Sequence, residues 1–361
     1  MTIACLKTIS IKNFRCFKSA NFDLDAEIIL LQGPNGSGKT SLLEALHYGS
    51  NLRSFRTRIP KELIKFGTDC FFIRISSPTQ EMSVGVAGSK RQVKLNQKPV
   101  TSFCQLRTFH TVMTVTEDDL MLIKGSPEER RLFLDNLLVL LDPALADLFK
   151  EYRIVVNNRN ALLFKGFYAF DELVVWTKKL WELSKVIQTK RTELIKDLSL
   201  SSKEFIKSYF DDLYEIHYEY SSKYVLENLS WEEFLVFWKT TIFNQECRFK
   251  RTLFGSHTDD LLLSFNSKSA RFYASRGQQK LILMLIKMAQ VTLLRKLISE
   301  DEGITFLIDD FMTDFDEQIM KKIISAGKSL KIQLIFTSPV KKGLDETLLV
   351  SYGARVVDIS I

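Results

Sequence analysis

Residues 30–49 read LLQGPNGSGKTSLLEALHYG, and residues 33–40 within them match G-x-x-x-x-G-K-[ST] at each fixed position. The apolar run that ends at Gln32 predicts a buried strand, and the apolar spacing after Thr40 predicts a helix. A glycine-rich turn between a strand and a helix lets backbone N–H groups and the positive helix end surround a phosphate. The stretch therefore predicts a phosphate-binding loop in an α/β fold, rather than a glycine-rich turn that binds nothing.

Two side chains of this loop have expected chemical roles. Lys39 is expected to reach the β- and γ-phosphate oxygens of a nucleotide, and the Thr40 hydroxyl is expected to ligate Mg²⁺. A second acidic element should complete the site. Residues 304–311, ITFLIDDF, read as a buried strand that ends at Asp309. We expect Asp309 to bind Mg²⁺ and Asp310 to polarise the attacking water, although a strand that simply exits to a turn has the same pattern.

Bulk composition narrows the class of protein. The chain has 361 residues, 45% hydrophobic and 26% charged, which is enough for two domains with substantial cores. No apolar run reaches about 18 residues and the first residues lack a signal-peptide pattern, so a cytoplasmic protein without a membrane span is expected. The five cysteines are scattered without a C-x-x-C pair, which favours reduced thiols and argues against structural zinc. A net charge of +7 favours an anionic partner without identifying one.

Periodicity along the chain predicts the order of elements. Alternation predicts strands over residues 5–11, 21–25 and 27–32, and short β-like runs within residues 53–98 predict an antiparallel subdomain. Residues 143–208 have helical spacing with aromatic residues on one face, which predicts a helical arm. The four tryptophans of the chain are most simply explained by core packing and packing between helices. Apolar heptads are not sustained, so a long coiled coil is not expected.

A second helix N terminus is expected at residues 275–290, SRGQQKLILMLIKMAQ, where Ser275 and Gly277 precede a strongly apolar helix. This stretch resembles the signature loop of ABC-type ATPases. In those proteins, the serine and glycine of one subunit cap the γ-phosphate that the other subunit's phosphate-binding loop holds. The resemblance implies ATP as the nucleotide, a catalytic role for Ser275 and an ATP-dependent homodimer.

Six motifs in order resemble the RecF family, whose members are bacterial recombination-mediator ATPases related to SMC heads. The motifs are IKNFRCF from residue 11, LRSFRTRIPKELIKFG from 52, TEDDLMLIKGSPEERRLFLD from 116, GSHTDDLLLSFN from 255, SRGQQK from 275 and FLIDDFMTDFDE from 306. The resemblance implies an ABC-type P-loop ATPase head with a mixed sheet and an antiparallel β subdomain, plus an inserted helical arm. It implies head segments at residues 1–140 and 251–361, with the arm at residues 141–250.

The function implied by this resemblance is ATP-dependent DNA binding in DNA replication, recombinational gap repair and SOS induction. ATP binding would drive dimerisation on single- and double-stranded DNA and help to load RecA-type recombinase with RecO and RecR. The enzyme activity implied is a weak, DNA-stimulated ATPase of ABC/SMC type. The cofactors are ATP and Mg²⁺, with Thr40 and Asp309 at the metal. The implied nucleotide-binding residues are Gly33, Pro34, Asn35, Gly36, Ser37, Gly38, Lys39, Thr40, Arg15 and Gly277.

Several positions depart from the family pattern. Ser256 and Thr258 flank His257 where the family usually has proline and arginine, and this histidine has no partners at metal-ligand spacing. The run TEDDL leaves open whether Glu117 or Asp118 faces the nucleotide. Thr337 stands at the position of the ABC switch histidine, so slow hydrolysis is expected. The run TDFD, residues 313–316, replaces the family's dimer loop.

A basic cluster follows the helix that is predicted after Thr40. The cluster consists of Arg53, Arg56, Arg58 and Lys61 with Phe55 between them, and it suits either DNA phosphates or a solvated loop.

The alternative function is a nucleotide-binding subunit of a membrane transporter, which would need a switch histidine and a short insertion. A small GTPase is excluded because no N-K-x-D motif is present. Chain length and the missing C-x-x-C exclude a long-armed SMC or zinc-hook protein.

Overall fold

The computed structural model describes residues 3–101, 105, 109–166, 170–226, 228–299, 302–310, 315–338 and 344–359. The strands are β1 Thr8–Phe14, β2 Phe17–Asp23, β3 Ile28–Gln32, β4 Cys70–Ser76, β5 Glu81–Ala87, β6 Lys90–Leu95, β7 Lys98–Pro99, β8 Thr111–Val115, β9 Ile216–Ser221, β10 Asp260–Phe265, β11 Lys268–Ser269, β12 Ile304–Ile308, β13 Gln333–Ser338 and β14 Arg355–Asp358. The α-helices are α1 Lys39–Asn51, α2 Met121–Lys124, α3 Pro127–Leu141, α4 Leu145–Lys165, α5 Phe170–Phe210, α6 Trp231–Phe237, α7 Phe243–Phe249, α8 Ala270–Tyr273, α9 Arg276–Leu297, α10 Glu317–Ser329 and α11 Leu344–Ser351.

The chain forms two compact units. The first contains Met1–Asp119, Ser208–Asp211 and Leu294–Ile361, and the second contains Leu120–Lys207 and Asp212–Leu293. The second unit is larger than the helical arm of residues 141–250, because it also includes α3, β10 and most of α9. The domain boundaries expected from the sequence, with the helical arm at residues 141–250, therefore remain a prediction.

A five-stranded sheet with the order β14-β3-β13-β12-β8 forms the centre of the first unit, and all its described pairs are parallel. Every residue of β3, β12 and β13 is buried. Continuous apolar runs of this kind are typical of parallel strands covered on both faces. The buried strands expected before Gly33 and before Asp309 are confirmed.

The second sheet of this unit is antiparallel, with the order β2-β1-β4-β5-β6-β7. Its strands alternate, so that Ile9, Ile11 and Ile73 point into the core while the residues between them do not. β1 and β2 extend over different residues than expected, because a tight turn joins Phe14 to Phe17. The φ of 49° at Arg15 shows the left-handed backbone that closes this turn.

Helix α1 joins the two sheets of the first unit into one core. Leu42, Leu43 and Leu46 are fully buried in a cluster with apolar residues of both sheets. Burial of this apolar surface contributes about 25 cal/mol per Å². The core therefore anchors α1 and the loop that precedes it.

His110 is a buried titratable group beside the central sheet. Its Nε2 lies 2.7 Å from the Thr305 hydroxyl. Burial lowers the pKa of His110 to about 3, and the charge of Arg295 acts in the same direction. Below about pH 6.5 the unfolded chain therefore binds a proton that the folded chain does not.

We expect acid to destabilise the protein partly through His110. Its contribution is fully present above about pH 6.5 and is lost as the pH falls towards the folded-state pKa, with a slope of up to about 1.4 kcal/mol per pH unit. His110→Gln should lose less unfolding free energy than wild type between about pH 7 and about pH 5 in urea titrations. The matched control is His217→Gln, at an exposed position of β9, which should keep the wild-type decline. Equal declines in wild type and His110→Gln would contradict this role.

The second unit is mainly helical, as expected for the arm. Its interior contains Arg159, which is fully buried and makes paired hydrogen bonds with the fully buried Glu246. The guanidinium lies 4.9 Å from the centroid of Phe254, and the indole N–H of Trp238 donates to Glu246 at 2.8 Å. The expected packing role is confirmed for Trp181 and Trp238, which are both buried.

No helix within the described residues is both long enough and apolar enough to span a membrane.

Candidate nucleotide-binding site

The predicted loop lies between β3 and α1. Gly36 and Gly38 have φ of 82° and 98°, values that glycine adopts without steric cost. A Cβ on Gly38 would lie 2.7 Å from the Phe17 ring and 2.9 Å from the Cys16 sulfur. Backbone conformation and close packing therefore both require glycine at position 38.

The space around the loop fits an anion. A Cβ built on Gly36 would have no heavy atom within 4 Å, so the backbone there is open to approach. The Ser37 hydroxyl is buried and has no hydrogen-bond partner among the described residues. The N terminus of the 13-residue helix α1 follows directly. Helix N–H groups and the positive helix end favour a phosphate at this place.

The side chain of Lys39, at the start of α1, folds back over the glycine-rich loop. Its ammonium donates hydrogen bonds to the carbonyl oxygens of Gly33 at 2.6 Å and Pro34 at 3.0 Å. Burial lowers the pKa of Lys39, while the negative charges of Asp310 and Asp309 act in the opposite direction. The structure therefore positions a cation at the loop, with two carboxylates in its electrostatic environment.

Asp309 connects three elements of the first unit. Its Oδ1 accepts hydrogen bonds from the Thr40 hydroxyl at 3.2 Å and the Thr337 hydroxyl at 3.0 Å. Burial raises the pKa of the Asp309 carboxyl, and these two hydrogen bonds oppose that effect. A hydroxyl and a half-buried carboxylate are oxygen donors of the kind that Mg²⁺ prefers, so Thr40 and Asp309 fit this ion.

Asp310 follows at the end of β12 with a φ of 54°. This left-handed conformation is uncommon outside glycine, and aspartate is among the residues that tolerate it. The backbone N–H of Asp310 donates to the Thr337 hydroxyl at 2.9 Å, and its side chain is exposed. Thr337 therefore contacts both aspartates, a connection that its resemblance to the switch position did not predict.

Sequence reasoning missed Glu44, a fully buried carboxylate on α1. Arg15 donates to both of its oxygens at 2.8 Å, and the Ser54 hydroxyl also donates to it. The Arg56 guanidinium lies 3.5 Å from the same carboxylate. The one available signal was a glutamate inside an otherwise apolar helix stretch. Arg15 thus pairs with Glu44 here, and its role at a phosphate stays a prediction.

The basic cluster after α1 keeps its four cations exposed. Phe55 is half-buried and packs edge-on against His47, with ring centroids 5.5 Å apart. Phe55 therefore anchors the segment to α1. Arg53, Arg58 and Lys61 face solvent, whereas Arg56 is exposed but also pairs with Glu44.

In the second unit, Ser275 caps helix α9. Its N–H donates to the Gln278 side chain at 2.9 Å, and its hydroxyl accepts from the Gln278 N–H at 3.3 Å. This reciprocal arrangement satisfies N–H groups that a helix start leaves unpaired. A Cβ on Gly277 would have no heavy atom within 4 Å. The helix start is therefore both ordered and open.

His257 is held in place by a side chain of α4. Its Nδ1 lies 2.8 Å from the Tyr152 hydroxyl, and burial lowers the pKa of His257 to about 4. In the described part of the chain, no group of three or more His, Cys, Asp or Glu side chains could hold a metal ion. Thr313 and Asp314 of the expected dimer loop lie outside the described residues. The choice between Glu117 and Asp118 stays open.

A parallel sheet that ends in a glycine-rich loop and a half-buried aspartate, with an antiparallel sheet packed on the same helix, is the architecture of an ABC-type P-loop ATPase head. A family model described as an AAA domain matches residues 8–323. The chain belongs to the RecF family. It is 31% identical over 353 residues to the DNA replication and repair protein RecF of Chlorobium phaeobacteroides strain BS1, covering 90% of this chain and 94% of that protein.

Solved structures agree with this placement. The structure of a recombination mediator protein RecF with ATP, in the RecFOR pathway, has a TM-score of 0.81 and 25% identity and covers 95% of this chain and 94% of its own. An SMC head domain from Pyrococcus furiosus has a TM-score of 0.54 at 14% identity, over 98% of this chain and 93% of its own, which is a likeness of fold alone. The expected family and fold class are confirmed.

Proposed function

We propose that this chain is an ATP-dependent DNA-binding protein of DNA replication and recombinational gap repair. The observation that carries the proposal is the cluster of Thr40, Asp309 and Thr337 beside an open glycine-rich loop. Each of these side chains comes from a different element, so their meeting is not a consequence of local sequence. The relative solved with ATP supports ATP as the nucleotide.

Different residues of the first unit bind the phosphates of ATP, hold the metal ion and orient the attacking water. The loop backbone and Lys39 bind the phosphates, and Thr40 and Asp309 hold Mg²⁺, which would neutralise phosphate charge when bound. Asp310 orients the attacking water as the catalytic carboxylate. Thr337 provides no imidazole for proton transfer, so hydrolysis is slow. Stimulation of this hydrolysis by DNA is proposed from the family resemblance alone.

Dimerisation is proposed to depend on the N terminus of helix α9. Ser275 and Gly277 of one copy cap the γ-phosphate held by the loop of another copy, so ATP drives dimerisation. ADP lacks the phosphate that would bridge the two copies. The open N terminus of α9 supports this role.

The proposed function also includes binding to DNA and to partner proteins. The exposed cations at Arg53, Arg56, Arg58 and Lys61 and a net charge of +7 suit DNA phosphates, both single-stranded and at single/double-strand junctions. By resemblance, the partners are RecO, RecR and RecA-type recombinase, with roles in gap repair and SOS induction in the cytoplasm. The relative solved with ATP is a recombination mediator of the RecFOR pathway, which supports these partners.

The test is the mass of the protein in solution, measured by light scattering without nucleotide, with ADP and with ATP. We expect a monomer in the first two conditions and a dimer with ATP. Gapped duplex DNA should bind to the ATP form and raise the measured mass further. A mass that does not respond to ATP, or DNA binding that is equal in all three conditions, would contradict the proposal.

Asp310→Asn should retain ATP binding and slow hydrolysis by about 100-fold, the usual scale of general-base catalysis. The amide keeps the size of the side chain but cannot accept a proton from water. Single-turnover hydrolysis and ATP binding should be measured on the same protein. Glu117→Gln is the comparison variant, because Glu117 is the alternative carboxylate. Unchanged turnover in Asp310→Asn with a loss in Glu117→Gln would transfer the role to Glu117.

A further inference from the structure

The outer face of the antiparallel sheet presents a row of side chains around one aromatic ring. Strand register places Lys12, Phe72, Gly85 and Gln92 side by side across four strands. Cross-strand neighbours share one face of a sheet. The core residues Phe71 and Val84 point the other way, so Phe72 lies on the solvent side.

A second row runs beside the first. Ser10, Arg74, Ser83 and Lys94 are cross-strand neighbours in the same register. The guanidinium of Arg74 lies 5.5 Å from the centroid of the Phe72 ring. Aromatic ring and cation are therefore adjacent on this face.

The surface between these rows is concave. A depression of about 160 Å³ is lined by Phe72, Arg74, Ser83, Gly85, Gln92, Lys94 and Gln97. It exists partly because position 85 has no side chain: a Cβ there would approach only the Phe72 ring, at 3.7 Å. The depression is smaller than the 300–1,000 Å³ typical of pockets for larger ligands, so it suits a single flat ring.

The charge of the face favours an anion. The eight positions of the two rows contain three cations, Lys12, Arg74 and Lys94, and no carboxylate. A face that is merely solvated usually mixes charges of both signs. The carboxylate of Glu81 lies 3.8 Å from the Nε of Arg74 and also accepts a hydrogen bond from Gln97 at 2.6 Å. Since Arg74 and Glu81 are both partly exposed, their pairing is weak and leaves the cation available.

We propose that this face binds single-stranded DNA, with one base stacked on Phe72 and neighbouring phosphates held by Arg74 and Lys94. Antiparallel sheets that display an aromatic ring among cations are an established way to bind unpaired bases. Duplex DNA keeps its bases stacked inside, so only its phosphates would meet this face. The inference rests on the proposed DNA-binding function and assigns the unpaired strand to a particular surface.

The test compares three labelled probes by fluorescence anisotropy in the presence of ATP and Mg²⁺. They are oligothymidylate of about 15 nucleotides, an abasic oligomer of the same length and a duplex of the same length. Wild type should prefer oligothymidylate over the abasic strand by about 5- to 140-fold, the effect of one stacked base. Phe72→Leu should lose this preference because the π-face is removed, whereas Phe72→Tyr should keep it.

A second variant guards against a folding defect. Gly85→Val adds a β-branched residue that strands favour and fills the depression without forcing an unusual backbone. It should therefore fold normally by circular dichroism and still lose the preference for bases. Lys94→Gln should weaken oligothymidylate and abasic strand alike and reduce the salt dependence by about one phosphate contact. Lys98→Gln is the matched charge control, since Lys98 pairs with Leu95 on the opposite face.

The outcomes separate the two proposals. If wild type binds none of the probes with ATP, the proposed DNA-binding function fails and this inference fails with it. If wild type binds and prefers bases, but Phe72→Leu and Gly85→Val keep that preference, only this inference is overturned. Equal weakening of all three probes in these variants would also overturn it, because the face would then be a phosphate-binding surface without base stacking.

Discussion

Lys39→Met is expected to weaken ATP binding by about 10- to 150-fold, the range for losing hydrogen bonds to charged groups. Methionine is similar in length, and the loop conformation depends on Gly36 and Gly38, whose positive φ values the substitution does not touch. The Lys39 ammonium contacts only loop carbonyls among the described residues, at 2.6 and 3.0 Å. The effect should therefore fall on phosphate binding rather than on stability.

Isothermal titration with ATP gives the affinity directly, and DNA binding with and without ATP gives the functional consequence. The matched control is Lys18→Met, an exposed cation of β2 that makes the same change in charge. Lys18→Met should bind ATP as wild type does. Equal ATP affinity in wild type and Lys39→Met would contradict the assignment of residues 33–40 as a nucleotide-binding loop.

Ser275→Arg is expected to abolish ATP-driven dimerisation while each monomer still binds ATP. The substitution places a long cation at a helix start that is open in the structure. The nucleotide loop of the same chain keeps its sequence, so monomer affinity should survive. Turnover and the ATP-dependent part of DNA binding should be lost together with the dimer. Residual DNA binding should show a shallower salt dependence, since a monomer neutralises fewer phosphates.

The cap on α9 requires a control, because Ser275 also receives and donates hydrogen bonds with Gln278. Loss of such a cap costs about 1 kcal/mol of helix stability. Ser275→Ala loses the same cap without adding bulk, so it isolates the steric effect. Light scattering with ATP should find a weakened dimer for Ser275→Ala and a monomer for Ser275→Arg. A Ser275→Arg protein that dimerises as well as wild type would show that this helix start lies outside the interface.

Local sequence was sufficient for the glycine-rich loop between β3 and α1, the two buried strands and the cap on α9. Each depends on residues close together in the chain: the glycines on backbone conformation, the strands on continuous apolar runs, and Ser275 on a partner three positions away. Family resemblance added the order of the motifs. The helical character of residues 143–208 was likewise visible, because helical periodicity is a local property.

Tertiary structure alone decided which distant side chains meet. Thr337 reaches Asp309 because β13 lies between β3 and β12, a strand order that no local pattern encodes. Glu44 is buried because Arg15 and Ser54 pair with its carboxylate from other parts of the chain. The ring of Phe72 stands among cations only because the register of four strands aligns them. A shift of one residue would turn every side chain to the other face, so this surface is a property of strand pairing and not of any single stretch of sequence.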